Sequence, residues 1–252
     1  MKNLQIIFNM DGTGVYSNKY EPTHLDSLLM WVIAQREGRE PPERNEPPHE
    51  IEIPCAKWKI GDVWGWKASA IFPIDERGEV VGWLRRRIRM DRLPYTEGGG
   101  IVIAGGEYMN KNIPVPKSLC PKMIGYCVGD KDTIRDFLSE VRYMGRYTSG
   151  GVGRVCSVDV HEIEDDWSCV MNDRAVRVLP KLDGFRICRV RPPYWNSFEK
   201  INVCEIGDVF TSKEIESENM ATRSGFRDKN INDKGEGIYE EEKMDLHKLK
   251  VI

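Results

Sequence analysis

The hydrophobic patterning of this 252-residue chain predicts an α+β fold, in which one antiparallel sheet carries two helices on one face. Apolar runs typical of strands begin the chain, fill its middle and return after residue 154. Two segments between them have apolar residues at helical spacing. The order of strand, helix, strands, helix and strand is that of ferredoxin-like folds, here extended by hairpins and a C-terminal segment.

The first strand is predicted at residues 4–10, where apolar side chains predominate. Thr23 and Asp26 then have the spacing of a capping box, with Asp in place of the usual Glu. A helix should follow, because the next apolar residues fall at helical spacing. These residues are Leu25, Leu28, Leu29, Val32 and Ile33. We expect the helix to end near Gly38, before a charged loop rich in proline.

Strand patterns dominate the middle of the chain, and a second helix separates them from a last clear strand. The predicted strands cover residues 51–54, 63–72, 80–90 and 155–163, and the second helix covers residues 132–141. A turn at residues 75–78 should join the second and third of these strands into a hairpin. After Pro180 the patterns weaken to two short strands, within residues 185–190 and 197–210.

The composition divides the chain into three parts. Residues 1–165 should form the core, with a basic hairpin and a glycine-rich loop, and residues 166–212 should extend that core. Residues 213–252 are polar and charged and have few large apolar side chains. This composition is typical of a flexible or partner-dependent tail.

Charge and cysteine usage narrow the classes of function. The formal net charge is −3, so the overall composition does not favour nucleic acid, and any such site must be a local patch. The seven cysteines are scattered without a Cys-x-x-Cys pair, and no leader precedes the first strand. We therefore expect reduced thiols, a cytoplasmic protein and no metal site. No apolar stretch is long enough to span a membrane, and no motif indicates a cofactor.

A glycine-rich loop lies between the second helix and the strand at residues 155–163. Gly150, Gly151 and Gly153 lack side chains, so a ligand backbone could approach the exposed N–H groups of this loop. The loop lacks the Gly-Lys-Ser/Thr end of a P-loop, and its helix-then-strand order reverses the dinucleotide fingerprint. Binding of a nucleic-acid backbone and a tight helix-to-strand connection are equally good interpretations. The contacts expected for the first are Arg146, Tyr147, Thr148, Ser149, Gly150, Gly151, Gly153 and Arg154.

The strand at residues 80–90 combines a basic face with an apolar one. Side chains alternate along a strand, so Arg85, Arg87 and Arg89 share one face with Trp83. Guanidinium groups bind phosphates through two hydrogen bonds, and this stripe suits a single-stranded backbone. A solvated face with ordinary salt bridges is the alternative. Few acidic residues are near in sequence, which favours nucleic-acid binding.

Two further segments contain residues that could either pack in the core or contact a nucleic acid. In the strand at residues 63–72, Trp64 and Trp66 lie beside small residues and should pack in the core. Lys67 and Ser69 occupy the opposite face, where they could contact a nucleic-acid backbone. The aromatic turn at residues 192–195 could stack on bases, but packing onto the sheet is the favoured interpretation.

His24 is the one candidate for catalysis. A lone histidine near the first helix could act as a general base in RNA cleavage. It could equally cap the helix, pack against it or contact RNA without reacting. The sequence shows no nucleophile elbow and no metal-binding motif to join it.

Five segments, taken in order, resemble the RAMP subunits of class 1 CRISPR effector complexes. They are residues 24–29, residues 66–70, the strand at residues 80–90 (the arginine strand), residues 146–154 and residues 192–195. The chain is most similar to the type IV Csf-type subunit in the "Cas-five" role, which caps the 5′ handle of the guide RNA. The resemblance extends over residues 1–210. The glycine loop alone is shared by many RAMP proteins, and its combination with the other segments is more specific.

This resemblance implies an RRM-like core that binds guide RNA through the glycine loop and the basic strands. It implies a non-catalytic subunit that caps the backbone of a type IV ribonucleoprotein targeting DNA. The implied protein partners are the repeating backbone subunit and the large subunit, and duplex DNA beside the protospacer-adjacent motif is a further implied contact.

Two other functions stay open at this point. The first is a metal-independent CRISPR-RNA-processing endoribonuclease on the same fold, with His24 as its base. Such an enzyme usually needs a second polar group near the histidine, and the sequence does not identify one. The second is a stand-alone module that binds single strands.

Overall fold

The computed structural model describes residues 1–15, 22–40, 46–86, 111–146, 148 and 151–210, with the backbone alone for residues 84–86. Its helices are α1 (Leu25–Arg36) and α2 (Lys131–Leu138). The strands of its central sheet are β1 (Lys2–Met10), β4 (Phe72–Ile74), β7 (Lys122–Gly129) and β8 (Val155–Glu162). The fold is therefore α+β.

Further strands lie outside the central sheet. One hairpin consists of β2 (Lys57–Ile60) and β3 (Val63–Trp66), and another of β5 (Glu79–Arg86) and β6 (Lys111–Ser118). After β8 come the short strands β9 (Val170–Met171), β10 (Arg174–Ala175), β11 (Leu179–Pro180), β12 (Arg186–Cys188) and β13 (Ile201–Cys204). None of the helices in the described residues is long and apolar enough to cross a membrane.

The central sheet has the strand order β4-β7-β1-β8, and every neighbouring pair is antiparallel. Strand β1 lies inside the sheet, which explains why its residues from Leu4 to Phe8 are all buried. Leu4, Ile6 and Phe8 face one side, where they pack with both helices. Ile7 faces the other side, where residues of β4, β7 and the chain after β8 cover it. Both faces of the sheet are thus buried at β1 and β7, whereas much of β8 is exposed.

The beginning of α1 differs from the predicted capping box. His24 is the N-cap residue, and its side chain makes no capping hydrogen bond. Asp26 instead binds Arg177 and Tyr194, which are far away in sequence. The local motif is overridden because a buried guanidinium needs a carboxylate partner. The predicted end is confirmed, since α1 stops at Arg36 and Gly38 has a φ of 63°.

The predicted hairpin between residues 63–72 and 80–90 is wrong. Strand β3 pairs with β2, and β5 pairs with β6, so that Trp83 lies opposite Pro114. The predicted single strand at 63–72 is also interrupted, because Ala68 and Ala70 form isolated bridges to Cys127 and His24 between β3 and β4. No strand forms at residues 51–54. Alternation along a single strand does not show which strand pairs with which.

A second core joins the C-terminal segment to the first hairpin. It includes Trp58 and Ile60 of β2 together with Val203 of β13 and Phe210. The described part of the predicted extension thus packs on the β2-β3 hairpin of the predicted core. The predicted division at residue 165 stays a prediction, and the predicted tail at 213–252 lies outside the described residues.

Candidate functional site

A cleft of about 600 Å³ lies between one face of α1 and the C-terminal segment. Its lining includes His24, Ser27, Trp31, Arg146, Arg186 and Trp195. The first three recur at intervals of three and four residues, so they share the side of α1 opposite its buried stripe. The cleft therefore brings together His24 and Arg146 of the glycine loop, which belong to two separate sequence motifs.

A buried polar cluster, formed by Asp26, Arg177 and Tyr194, connects α1 to the C-terminal segment. Arg177 and Asp26 have fully buried side chains, with 3.3 Å between Arg177 Nη2 and Asp26 Oδ2. The Tyr194 hydroxyl donates to Asp26 Oδ2 at 2.9 Å. Burial raises the pKa of the Asp26 carboxyl, and the charge of Arg177 and the Tyr194 hydrogen bond oppose that rise.

Arg177 also donates to carbonyl groups from separate segments. Its Nη1 binds the carbonyl oxygens of Trp66 and Ala68, the latter at 2.9 Å, and its Nη2 binds that of Val190 at 2.6 Å. One guanidinium therefore holds together α1, the end of the β2-β3 hairpin and the C-terminal segment. The sequence carried no signal for this role, because Arg177 has no special local pattern.

His24 is buried in the wall of the cleft. Its side chain stacks on Tyr194 with ring centroids 4.3 Å apart and an interplanar angle of 24°. Only 5% of the residue is exposed, and among the residues that the structure describes Nδ1 has no hydrogen-bond partner. Burial, reinforced by the positive charges of Arg177 and Arg186, lowers the pKa of His24 well below its usual value. The ring is therefore neutral at neutral pH, and a phosphate would meet no positive charge on it.

The glycine loop contains two glycines with different surroundings. Gly153 is buried, with a φ of 76°; its N–H donates to Gly14 O at 2.9 Å, and its carbonyl accepts from Met144 N at 2.8 Å. A Cβ at Gly153 would overlap the Met144 carbonyl. Gly151 also has a φ of 76°, but it is exposed and a Cβ there would meet no atom within 4 Å. The packing of the loop therefore requires glycine at position 153, whereas the surface at Gly151 is open to a ligand.

The structure describes only some of the other glycine-loop residues that were predicted to contact RNA. Thr148 accepts a hydrogen bond from Gly151 N through its carbonyl at 2.9 Å, and Arg154 is exposed at the start of β8. Tyr147, Ser149 and Gly150 lie outside the described residues. Their predicted contacts stay predictions.

The arginine strand is likewise placed in part. Arg85 lies in β5, where only its backbone is described, and Arg87 and Arg89 lie outside the described residues. Trp83 belongs to the same strand and is 54% exposed. The basic stripe therefore stays a prediction, although β5 itself is confirmed as a strand.

The predicted contacts Lys67 and Ser69 lie in different environments. Lys67 Nζ lies 2.8 Å from Asp166 Oδ2, and both side chains are about one-third exposed. Ser69 is fully buried; its hydroxyl donates to Ala70 O at 2.6 Å and accepts from Tyr126 N at 2.8 Å. The placement of Ser69 on an accessible strand face needs correction, because the chain leaves regular strand geometry after β3. Ser69 is therefore not accessible to a nucleic-acid backbone.

Neighbouring residues of the aromatic turn at residues 192–195 lie in different environments. Tyr194 packs inside, as the favoured interpretation predicted, but Trp195 is 55% exposed in the cleft. Trp31 and Arg186, which also line the cleft, were missed. Trp31 could have been found from its position opposite the apolar stripe of α1, whereas Arg186 carried no signal. Within the described ranges, no three His, Cys, Asp or Glu side chains are grouped to hold a metal ion.

Comparison with known proteins identifies the family. A family model described as CRISPR type IV associated protein Csf3 matches residues 2–118 and 97–205. These ranges include β1, α1, the glycine loop and the aromatic turn that borders the cleft. None of the curated proteins compared with the chain matches it. The matched ranges cover well over half of the 252 residues, so this chain belongs to the Csf3 family of type IV CRISPR-associated proteins.

Proposed function

We propose that this chain binds the 5′ handle of guide RNA and caps the backbone of a type IV ribonucleoprotein that targets DNA, without cleaving RNA itself. The observation that carries the proposal is the position of Arg146. This residue belongs to the glycine loop and also lines the cleft that contains the exposed Trp31 and Trp195. Cationic and aromatic groups along one continuous surface are what single-stranded RNA requires.

The connectivity of the central sheet supports an RNA-binding fold of the ferredoxin-like or RRM-like kind. Its elements follow in the order β1-α1-β4-β7-α2-β8, with the two hairpins inserted before β4 and before β7. RRM domains bind RNA on the open face of such a sheet. Here Met171 and Val176 pack over that face together with Ile7 and Tyr126. This apolar cluster covers most of that face, although Ser157, Asp159 and His161 of β8 stay exposed on it. The coverage favours the glycine loop and the cleft as the RNA-binding surface.

The charges around the cleft are mixed. Arg39, Arg146 and Arg186 line it, and so do Glu40 and Glu205. Since the chain as a whole is acidic, the attraction of RNA must come from this local excess and from the adjacent loop. A modest excess of positive charge means that stacking has to contribute to the affinity.

The proposed complex also includes protein partners and DNA. We propose contacts with the repeating backbone subunit and the large subunit, and a further contact with duplex DNA beside the protospacer-adjacent motif. The β5-β6 hairpin supports a protein contact, because its apolar side chains are exposed. These are Val80, Val81, Trp83 and Ile113. Clustered exposed apolar residues commonly mark interaction sites.

Replacing Arg146 or Arg154 by alanine should weaken binding of the handle RNA and make it less sensitive to salt. Each lost phosphate contact should lower the slope of log K against log salt by roughly 0.7 for a single strand. Fluorescence anisotropy with labelled handle RNA at several salt concentrations measures both quantities. We expect the same behaviour for Arg85, Arg87 and Arg89.

Arg135→Ala is the matched control for these variants. Arg135 is a half-exposed arginine on α2 that pairs with Asp132 and does not line the cleft. Its loss should leave the affinity and the salt dependence unchanged. A loss of affinity that depended on base identity and not on salt would contradict the assignment of Arg146 and Arg154 to the RNA backbone.

His24→Phe should leave processing of a CRISPR repeat RNA unchanged. The low pKa of His24 makes it a poor proton acceptor, and its Nδ1 has no hydrogen-bond partner within the described residues. Phenylalanine keeps the ring stacked on Tyr194, so the fold should tolerate the change. The test is the pattern of repeat-RNA fragments in cells that carry either form. A defined product that disappears in the variant alone would favour the ribonuclease function.

A further inference from the structure

Two tryptophans that line the same cleft are each more than half exposed. Trp31 of α1 is 52% exposed, and Trp195 of the aromatic turn is 55% exposed. Single exposed aromatic residues are common on proteins, but two that line one cavity indicate a ligand with flat apolar surfaces. The volume of about 600 Å³ lies within the range of pockets that hold small organic molecules.

Trp195 is held in place by both of its neighbours in the chain. Before it, Tyr194 stacks on His24 and hydrogen-bonds to Asp26 and Arg177. After it, the fully buried Asn196 donates to Glu46 O at 3.0 Å and accepts from Phe198 N at 2.8 Å. The backbone that carries Trp195 is therefore rigid while its indole stays accessible. A ligand that stacks on this ring would lose little affinity to ordering of the protein.

The chemistry of the cleft matches a nucleobase better than an apolar ligand. A nucleobase combines a π face, which suits Trp195 and Trp31, with a polar edge. Neutral His24 and Ser27 line the cleft and can exchange hydrogen bonds with such an edge. Arg146 also lines the cleft, at the point where the glycine loop begins. The sugar-phosphate backbone could therefore follow the loop while one base enters the cleft.

We propose that the cleft holds one unstacked base of the single-stranded RNA handle, with Trp195 as the stacking surface. This inference rests on the proposed function, because it requires that the chain bind the handle. It adds a base-binding pocket on α1 and the C-terminal segment to the backbone contacts of the glycine loop.

The test compares handle RNAs that each lack one base. Binding of the intact RNA and of every abasic RNA is measured for the unaltered chain and for Trp195→Ala. Stacking on an aromatic ring contributes about 1–3 kcal/mol per base, so Trp195→Ala should weaken binding of intact RNA roughly 5-fold to 150-fold. One abasic RNA should bind the unaltered chain as weakly as the intact RNA binds Trp195→Ala. The affinity of that abasic RNA should be the same for Trp195→Ala, because the missing base and the missing indole belong to one contact.

Two further variants keep the result interpretable. Phe185→Ala removes an aromatic residue that is 88% exposed and does not line the cleft, and it should leave the abasic profile unchanged. Trp195→Phe keeps an aromatic face and should restore part of the affinity. Since Trp195 is largely exposed, the melting temperature of each variant should stay close to that of the unaltered chain.

The possible outcomes separate this inference from the proposed function. If Trp195→Ala binds all RNAs normally while Arg146→Ala binds them weakly, the base pocket is wrong and handle binding stands. An equal loss for every abasic RNA would also overturn the pocket, since no single base would occupy it. Normal RNA binding with weakened association to another subunit would make the cleft a protein contact. If the unaltered chain does not bind the handle, both proposals fail.

Discussion

Replacing Arg177 by methionine should lower the free energy of unfolding by about 3–5 kcal/mol, the usual cost of removing one partner of a buried ion pair. Methionine has similar length but cannot donate hydrogen bonds. The carboxyl of Asp26 would keep only the Tyr194 hydroxyl and the Ser27 N–H as donors. The carbonyls of Trp66, Ala68 and Val190 would also lose a donor in the interior. Urea unfolding followed by circular dichroism measures the loss.

Two comparisons test whether the loss of stability in Arg177→Met comes from burial of the ion pair between Arg177 and Asp26. Lys67→Ala removes one partner of the partly exposed pair with Asp166, and it should cost less than about 1 kcal/mol. The double variant Arg177→Met with Asp26→Leu removes both charges and should recover part of the stability lost by Arg177→Met alone. An Arg177→Met protein as stable as Lys67→Ala would show that the cluster does not hold the three segments together.

Arg177→Met should also weaken RNA binding in the cleft. Tyr194 is positioned by Asp26 and Arg177, and Trp195 follows it directly. Loosening the cluster should therefore reduce RNA affinity even in the fraction of molecules that stays folded. Binding measured well below the unfolding transition separates this effect from simple loss of folded protein.

Alanine at Gly153 should destabilise the protein strongly, whereas alanine at Gly151 should mainly weaken RNA binding. At Gly153 the positive φ costs about 1–2 kcal/mol, and overlap with the Met144 carbonyl adds about 1–3 kcal/mol. At Gly151 only the cost of the positive φ applies, because the space around it is open. If the RNA backbone approaches this open surface, a methyl group there should reduce affinity about tenfold, or about 1.4 kcal/mol.

The two glycine variants are matched, since they make the same chemical change at the same φ two residues apart. Melting temperature and handle-RNA affinity should be measured on both. Normal affinity in a folded Gly151→Ala protein would mean that the loop is a connection between α2 and β8 and does not contact RNA. A stable Gly153→Ala protein would mean that the loop adapts its backbone easily, and the argument from sterics would not hold.

Local spacing in the sequence was sufficient to predict several elements. Strand β1, both helices and β8 were predicted close to their observed bounds. Each contains apolar residues that belong to the core cluster between the central sheet and the helices. The glycine loop was also recognised from its composition. These features depend on neighbours in the chain, which a sequence shows directly.

Strand pairing and the use of polar side chains could not be predicted in this way. Alternation cannot distinguish β2 from β5 as the partner of β3, because both would place the same residues on one face. The spacing of Thr23 and Asp26 indicated a cap, yet Asp26 binds Arg177, which lies 151 residues later in the chain. A buried guanidinium outweighs a local hydrogen bond, and its position depends on the whole fold.

The sequence by itself determined the α+β class, the glycine loop and membership of the Csf3 family, but it did not predict β2, β6 or the central strand β7. Only the tertiary structure decided that His24 is buried and neutral, that Ser69 is internal and that Arg146 shares a cleft with Trp31 and Trp195. The physical reason is that secondary structure follows from contacts between neighbours in the chain. Accessibility, ionisation and shared cavities follow from contacts between residues far apart in sequence, which only the folded chain brings together.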